Sequence, residues 1–170
     1  MVILGIDTAI RKTGYGVLDM NGAGTARILD CGLIRNGASL PHSECLRRLA
    51  GGIRELVEQY HPEAASIEAA FVSKNIRTAM ILSLARGAVI ATLAERGIPV
   101  YEYSPMNAKR AATGRGDAPK EQVASLMAAI CGLDEKSGIP DDATDALALA
   151  YCHGNQQLRA GGAPRTVKPI

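Results

Sequence analysis

The run Val2-Ile3-Leu4-Gly5-Ile6-Asp7 constrains this chain more than any other feature, because an apolar, β-branched stretch closes abruptly on a carboxylate. Such a run reads as a strand covered on both faces, the kind found in sheets with helices on each side. Asp7 stands at its C-terminal end, the edge where open α/β sheets place ligands. A hard divalent cation takes several oxygen ligands, so the function turns on which other acids the fold can bring to Asp7.

Three candidates follow from the order of the chain. Residues 14–20 and 26–35 read as strands joined by Asn21-Gly22-Ala23-Gly24, a hairpin signal. Leu46, Leu49, Ile53, Leu56, Val57 and Tyr60 recur at helical spacing over 43–60, and His61-Pro62 ends that helix. A second strand over 64–69 carries Glu68 near its end. Residues 78–95 predict a helix apolar on most of its circumference, buried on more than one side and suited to a subunit interface. A strand over 100–103 and helices over 105–113, 120–131 and 141–153 complete an α/β fold with a five-stranded mixed sheet flanked by helices.

Asp142 and Asp145 lie three residues apart on the last predicted helix, so both project from one face. Packed across the sheet edge, that helix would complete a pocket of Asp7, Glu68, Asp142 and Asp145. Acids this close repel one another unless a cation is present. Ligation by oxygen alone points to Mg²⁺, with Mn²⁺ as a substitute. Two such ions about 3.5 to 4 Å apart serve in-line phosphodiester cleavage, and two per site are expected here. The competing reading makes Asp141 and Asp142 a helix cap and Asp145 a solvated position. Against it, Asp145 runs directly into Ala146-Leu147-Ala148-Leu149-Ala150, the most apolar part of the helix.

Net charge is +2, too mild to specify a nucleic-acid partner, so distribution decides. Arg11, Lys12, Lys74, Arg77, Lys109, Arg110, Arg115 and Lys120 fall on segments flanking the acidic edge. As a set they make sense as contacts to phosphates that the acids would otherwise repel. Phe71, the only phenylalanine, follows Glu68 by three residues in a polar segment that also holds Asn75, a setting that favours exposure.

At 170 residues the chain has room for one ordinary domain, 1–153, and its basic, Gly/Pro-containing end from Gly154 reads as a disordered tail. No apolar run approaches the roughly 20 residues of a membrane span. Cys31, Cys45, Cys131 and Cys152 form no C-x-x-C pair and fit reduced thiols, and no signal peptide is evident; a cytoplasmic protein without a membrane partner is expected.

The motifs then converge. Gly5-Ile6-Asp7 with Thr13-Gly14-Tyr15-Gly16, Ile67-Glu68 followed by Phe71, Lys74 and Asn75, Lys109 with Gly114-x-Gly116 and Lys120-x-Gln122-Val123, and Asp142-Ala143-Thr144-Asp145-Ala146-Leu147-Ala148 resemble the RuvC Holliday junction resolvases in order and spacing. The resemblance implies a ribonuclease H-like fold, a homodimer, and Mg²⁺-dependent paired nicking of four-way DNA junctions in recombination and repair. RuvA and RuvB are the branch-migration partners it implies. Its catalytic metal positions fall on Asp7, Glu68, Asp142 and Asp145. Lys109 and Lys120 would lie near the cleaved phosphate, and Phe71 would stack on an unpaired base. One departure stands beside Asp7: Thr8-Ala9 replaces the Pro-Gly common in relatives, and alanine does not adopt positive φ cheaply. Actin-like ATPases and sugar kinases also open on Gly-Ile-Asp, but need two domains. A plain ribonuclease H differs mainly over 71–77 and in dimerisation, and a non-catalytic DNA-binding domain would not need all four acids.

Overall fold

The computed structural model describes residues 1–22, 25–70, 75–130, 138–159 and 168–170. Ten elements follow in order: β1 (Val2–Asp7), β2 (Lys12–Met20), β3 (Ala26–Arg35), α1 (His42–Tyr60), β4 (Ala64–Glu68), α2 (Ile76–Glu95), β5 (Val100–Tyr103), α3 (Pro105–Thr113), α4 (Lys120–Ile130) and α5 (Asp141–Arg159). The sheet has five strands in the order β3-β2-β1-β4-β5. Strands β1, β2 and β3 form an antiparallel meander, while β4 and β5 continue parallel to β1. The expected mixed sheet is therefore present, with Asp7, Glu68 and Tyr103 ending parallel strands along one edge.

Strand periodicity divides the core. Ile3 of β1 joins Leu18, Met20, Tyr103, Met127 and Leu147 on the face covered by α3, α4 and α5. Leu4 and Ile6 join Val17, Leu49, Ile53, Val89 and Leu93 beneath α1 and α2. Alternate side chains of one strand thus face two hydrophobic layers.

Glycine sets how closely α5 approaches. A Cβ on Gly5 would overlap the Ala146 carbonyl, and one on Gly14 would overlap the Asp142 carbonyl. Without side chains at these two positions, the backbone of α5 lies directly on β1 and β2. The acids of its first turns are thereby brought to the end of β1.

Three expectations change. Helix α5 runs on to Arg159 instead of stopping at His153. Gly154, read as the start of the tail, is buried in the helix, where a Cβ would overlap Met20 Sδ and lie 3.0 Å from Ile3 Cδ1. Its glycine serves close packing, not termination. Second, α2 is buried within this chain chiefly along Ala85, Val89, Thr92 and Leu93, while Ile76, Met80 and Leu84 are 75%, 65% and 51% exposed. Third, α2 is, by length and composition, apolar enough to cross a membrane, contrary to the expectation that nothing approaches such a span. Arg86 hid this by interrupting the apolar run.

Candidate active site

The site begins with the strand ends. Ile6 and Ile67 are register partners of β1 and β4, so the following residues, Asp7 and Glu68, emerge side by side. Helix α5 starts after Pro140, whose carbonyl accepts the Ala143 and Thr144 N–H groups at 3.0 Å each. Asp142 lies in its first turn, against Gly14, and Asp145 follows three residues later.

The four acids share a field. Burial, then Glu68, Asp145 and Asp142, push the Asp7 carboxyl up to about 7, with Lys120 opposing. Glu68 is raised by burial and then by Asp145, again with Lys120 opposing. Ammonium groups meet the helix acids: Lys12 Nζ lies 2.5 Å from Asp142 Oδ2, and Lys120 Nζ donates to Asp145 Oδ2 at 3.2 Å. That bond is the chief reason the Lys120 ammonium holds its proton more firmly than usual. Desolvated, mutually repelling carboxylates of this kind are characteristic of functional sites.

The donor chemistry fits a hard divalent cation, since every acid offers oxygen alone. Asp7's raised proton affinity marks negative charge that a cation would relieve. Among the described residues, however, no three Asp, Glu, His or Cys side chains are grouped as a metal would need. The acids share one edge with two of them turned onto lysines; ligation would require those lysines to let go.

The remaining candidates divide. Arg77 and Arg110 are exposed and Lys109 is half-buried, with Arg110 Nη2 3.5 Å from Met106 Sδ. Arg115 grips Asp117 through Nε at 3.2 Å and Nη2 at 3.0 Å. Asn75 caps α2, its Oδ1 accepting the Thr78 N–H at 3.2 Å. Arg11 turns inward: its Nη1 reaches the carbonyls of Gly37 at 2.6 Å and Leu40 at 2.9 Å, pinning the loop ahead of α1. Phe71 and Lys74 lie outside the described residues.

The Thr8-Ala9 departure is accommodated without strain. His61 is the only non-glycine residue with positive φ among the described residues, so neither Thr8 nor Ala9 needs glycine's freedom. Thr13 Oγ1 closes this turn, accepting the Ala9 N–H at 3.2 Å and donating to the Ala9 carbonyl at 2.5 Å.

Sequence reasoning missed Arg86. From α2 its Nη1 donates to the Glu68 carbonyl at 2.6 Å, and its Nη2 pairs with Glu102 on β5. The available signal was a single cation within the otherwise uncharged stretch 79–93.

A mixed sheet with parallel strands ending in acids, crossed by a helix carrying two more, defines the ribonuclease H-like class of junction-resolvase folds. The family model for crossover junction endodeoxyribonuclease RuvC matches residues 3–153. A relative so described from Chlorobaculum parvum is 47% identical over 152 residues, covering 89% of this chain and 80% of that protein. Another from Roseiflexus is 43% identical over 150 residues, 88% of each chain. Thermus thermophilus RuvC, solved in complex with a Holliday junction substrate, superposes with a TM-score of 0.89 at 35% identity, over 100% of this chain and 99% of that one. The yeast mitochondrial Holliday junction resolvase shares the fold at 16% identity, with a TM-score of 0.64 over 92% of this chain and 80% of that one. The chain belongs to the crossover junction endodeoxyribonuclease RuvC family.

Proposed function

We propose that this chain resolves four-way DNA junctions by paired symmetrical nicks during recombination and repair, hydrolysing phosphodiester bonds at the Asp7 edge. The observation that supports the reading is that Glu68, Asp145 and Asp142 lie near enough to Asp7 to raise its proton affinity, in a member of a junction-endonuclease family. Asp7, Glu68, Asp142 and Asp145 would hold Mg²⁺ or Mn²⁺, two ions per site. Bound there, the cations would lower the pKa of a water and stabilise the leaving oxygen.

The chain's own groups supply the rest. Lys12 and Lys120 neutralise the helix acids and can turn to phosphate oxygens as a strand enters, so the pocket changes from self-screened to substrate-screened. Lys109, beside Arg110 on α3, adds positive charge near the reacting phosphate. Arg77 and Arg110 contact the backbone farther out, and Arg115 joins them on leaving Asp117. Phe71, with Lys74 and Asn75, meets the junction centre by stacking and phosphate contact.

The exposed apolar strip of Ile76, Met80 and Leu84 on α2 supports a homodimer in which a second copy would cover it. Two active sites in one assembly would give paired nicks. RuvA and RuvB would bring the junction, in the cytoplasm. In this reading the nuclease domain extends through the whole of α5, to Arg159.

The test compares a four-way junction, plain duplex and RNA–DNA hybrid, each with Mg²⁺ and with chelator. Junction-selective paired nicks that vanish with chelator are expected. Preferential cleavage of the hybrid would favour a plain ribonuclease H.

A further inference from the structure

A strand that ends at a catalytic acid has a difficulty: its last carbonyl has run out of ladder partners, yet the backbone there aims the side chain. At the end of β4 the peptide unit joining Glu68 to Ala69 is held at both polar atoms. The Ala69 N–H donates to the Tyr103 carbonyl at 2.9 Å, and the Glu68 carbonyl accepts from Arg86 Nη1 at 2.6 Å. Fixing this peptide plane fixes ψ of Glu68, and with it the direction of the Cα–Cβ bond relative to Asp7.

Arg86 is itself held. Its side chain is 14% exposed, and its second nitrogen pairs with Glu102, whose register partner on β4 is Ile67, next to Glu68. A planar guanidinium can serve a carbonyl and a carboxylate at once in fixed geometry, which one lysine ammonium on a flexible stem does less rigidly. Burial of an arginine carries a desolvation cost, so this one calls for more explanation than a surface ion pair.

We infer that Arg86 is a positioning residue for the cleavage reaction, clamping the Glu68 carbonyl from α2 so that the Glu68 carboxylate is delivered to Asp7. This rests on the proposed reading of Glu68 as a catalytic acid. The clamp also ties the acid to α2, the helix whose other face presents the exposed apolar strip.

The experiment compares Arg86→Met, Glu102→Gln, the double variant and Glu68→Gln in the full chain. Single-turnover nicking is measured with Mg²⁺; junction affinity, melting temperature and amide exchange at Ala69 are measured with chelator. Arg86→Met should slow nicking by roughly 10- to 100-fold, the effect of misplacing a group by about an ångström, while junction affinity stays within about twofold. Exchange at Ala69 should accelerate by about tenfold or more as the strand end loosens. The double variant, which no longer leaves Glu102 charged and unpaired, should regain melting temperature but neither nicking nor Ala69 protection. Glu102→Gln alone should nick within about threefold of the parent, since a neutral amide still accepts from Arg86.

Recovery of nicking along with melting temperature in the double variant would make Arg86 merely structural and overturn the inference. Unchanged Ala69 exchange in Arg86→Met would also overturn it. Normal nicking by Glu68→Gln would overturn the reading of the site beneath it, whereas full activity of Arg86→Met beside a dead Glu68→Gln would overturn the role of Arg86 alone.

Discussion

The first turns of α5 and the stretch around His153, farther along the helix, hold titratable groups in opposite conditions. At the first turns, Asp142 and Asp145 face Asp7 and Glu68, and the Asp7 carboxyl is pushed up to about 7 by burial and by its acidic neighbours. Three turns on, His153 is 1% exposed, its Nδ1 shares a proton with the Tyr103 hydroxyl at 2.8 Å, and its ring lies 4.3 Å from that of Tyr101. Burial pulls this imidazole down to about 4, holding it neutral. Beside the first turns Asp7 is burdened by its acidic neighbours and only partly relieved by Lys120; around His153 a polar group is satisfied by its neighbours. Crowded carboxylates are characteristic of functional sites, while a buried, bonded polar pair is characteristic of packing.

The contrast is broken most severely at Asp7. Asp7→Asn should lower nicking by about a thousandfold or more, by analogy with the loss of other central catalytic groups. It should leave junction affinity equal or tighter, because repulsion of phosphate falls; a gel titration with chelator beside a Mg²⁺ cleavage assay measures both. Lost binding with retained cleavage would remove Asp7 from the chemistry. Gly14→Ala comes next, since its methyl must displace the Asp142 carbonyl; overpacking of this kind costs about 1–3 kcal/mol. Denaturant melts should show that loss together with slower nicking, and a variant with parent stability and rate would show that α5 need not lie so close. Tyr103→Phe, in the packing region, should cost about 1–2 kcal/mol by leaving the His153 nitrogen unpaired, with the nicking rate unchanged.

The mildest effects lie in pH dependence, where the two regions should pull in opposite directions. The folded Asp7 binds a proton more tightly than the unfolded value of 3.8, so its contribution to stability is full below about 4 and fades as pH rises through about 7. The folded His153 binds a proton less tightly than 6.5, so its contribution is full above about 6.5 and lost as pH falls toward 4. Chelated protein melted from pH 4 to 8 should lose the first slope in Asp7→Asn and the second in His153→Gln. The same slope disappearing in both variants would mean that the two regions are not electrically distinct.

Much of this was legible because local pattern and tertiary role agree. The apolar run before Asp7 becomes β1 with side chains entering both layers, and the three-residue spacing of Asp142 and Asp145 before an apolar stretch places both at the sheet edge. Legibility failed where a residue's role depends on a distant partner. Gly154 reads as a helix end, yet Met20 and Ile3 crowd it from the sheet. Arg11 reads as a free cation, yet takes the carbonyls of Gly37 and Leu40. Arg86 reads as an interruption in an apolar helix, yet reaches the carbonyl of Glu68 from 18 residues away in sequence. The apolar girth of α2 was plain, but one chain covers only part of it.

Mn²⁺ diffused into crystals of the protein with a four-way junction gives the most direct measurement, because anomalous scattering places the ion without reference to any assumed ligand. The site described here requires density touching Asp7 together with Glu68 and at least one of Asp142 and Asp145, with Lys12 or Lys120 moved onto a phosphate. Density on Asp7 alone, or elsewhere with both lysines still seated on their acids, would contradict it.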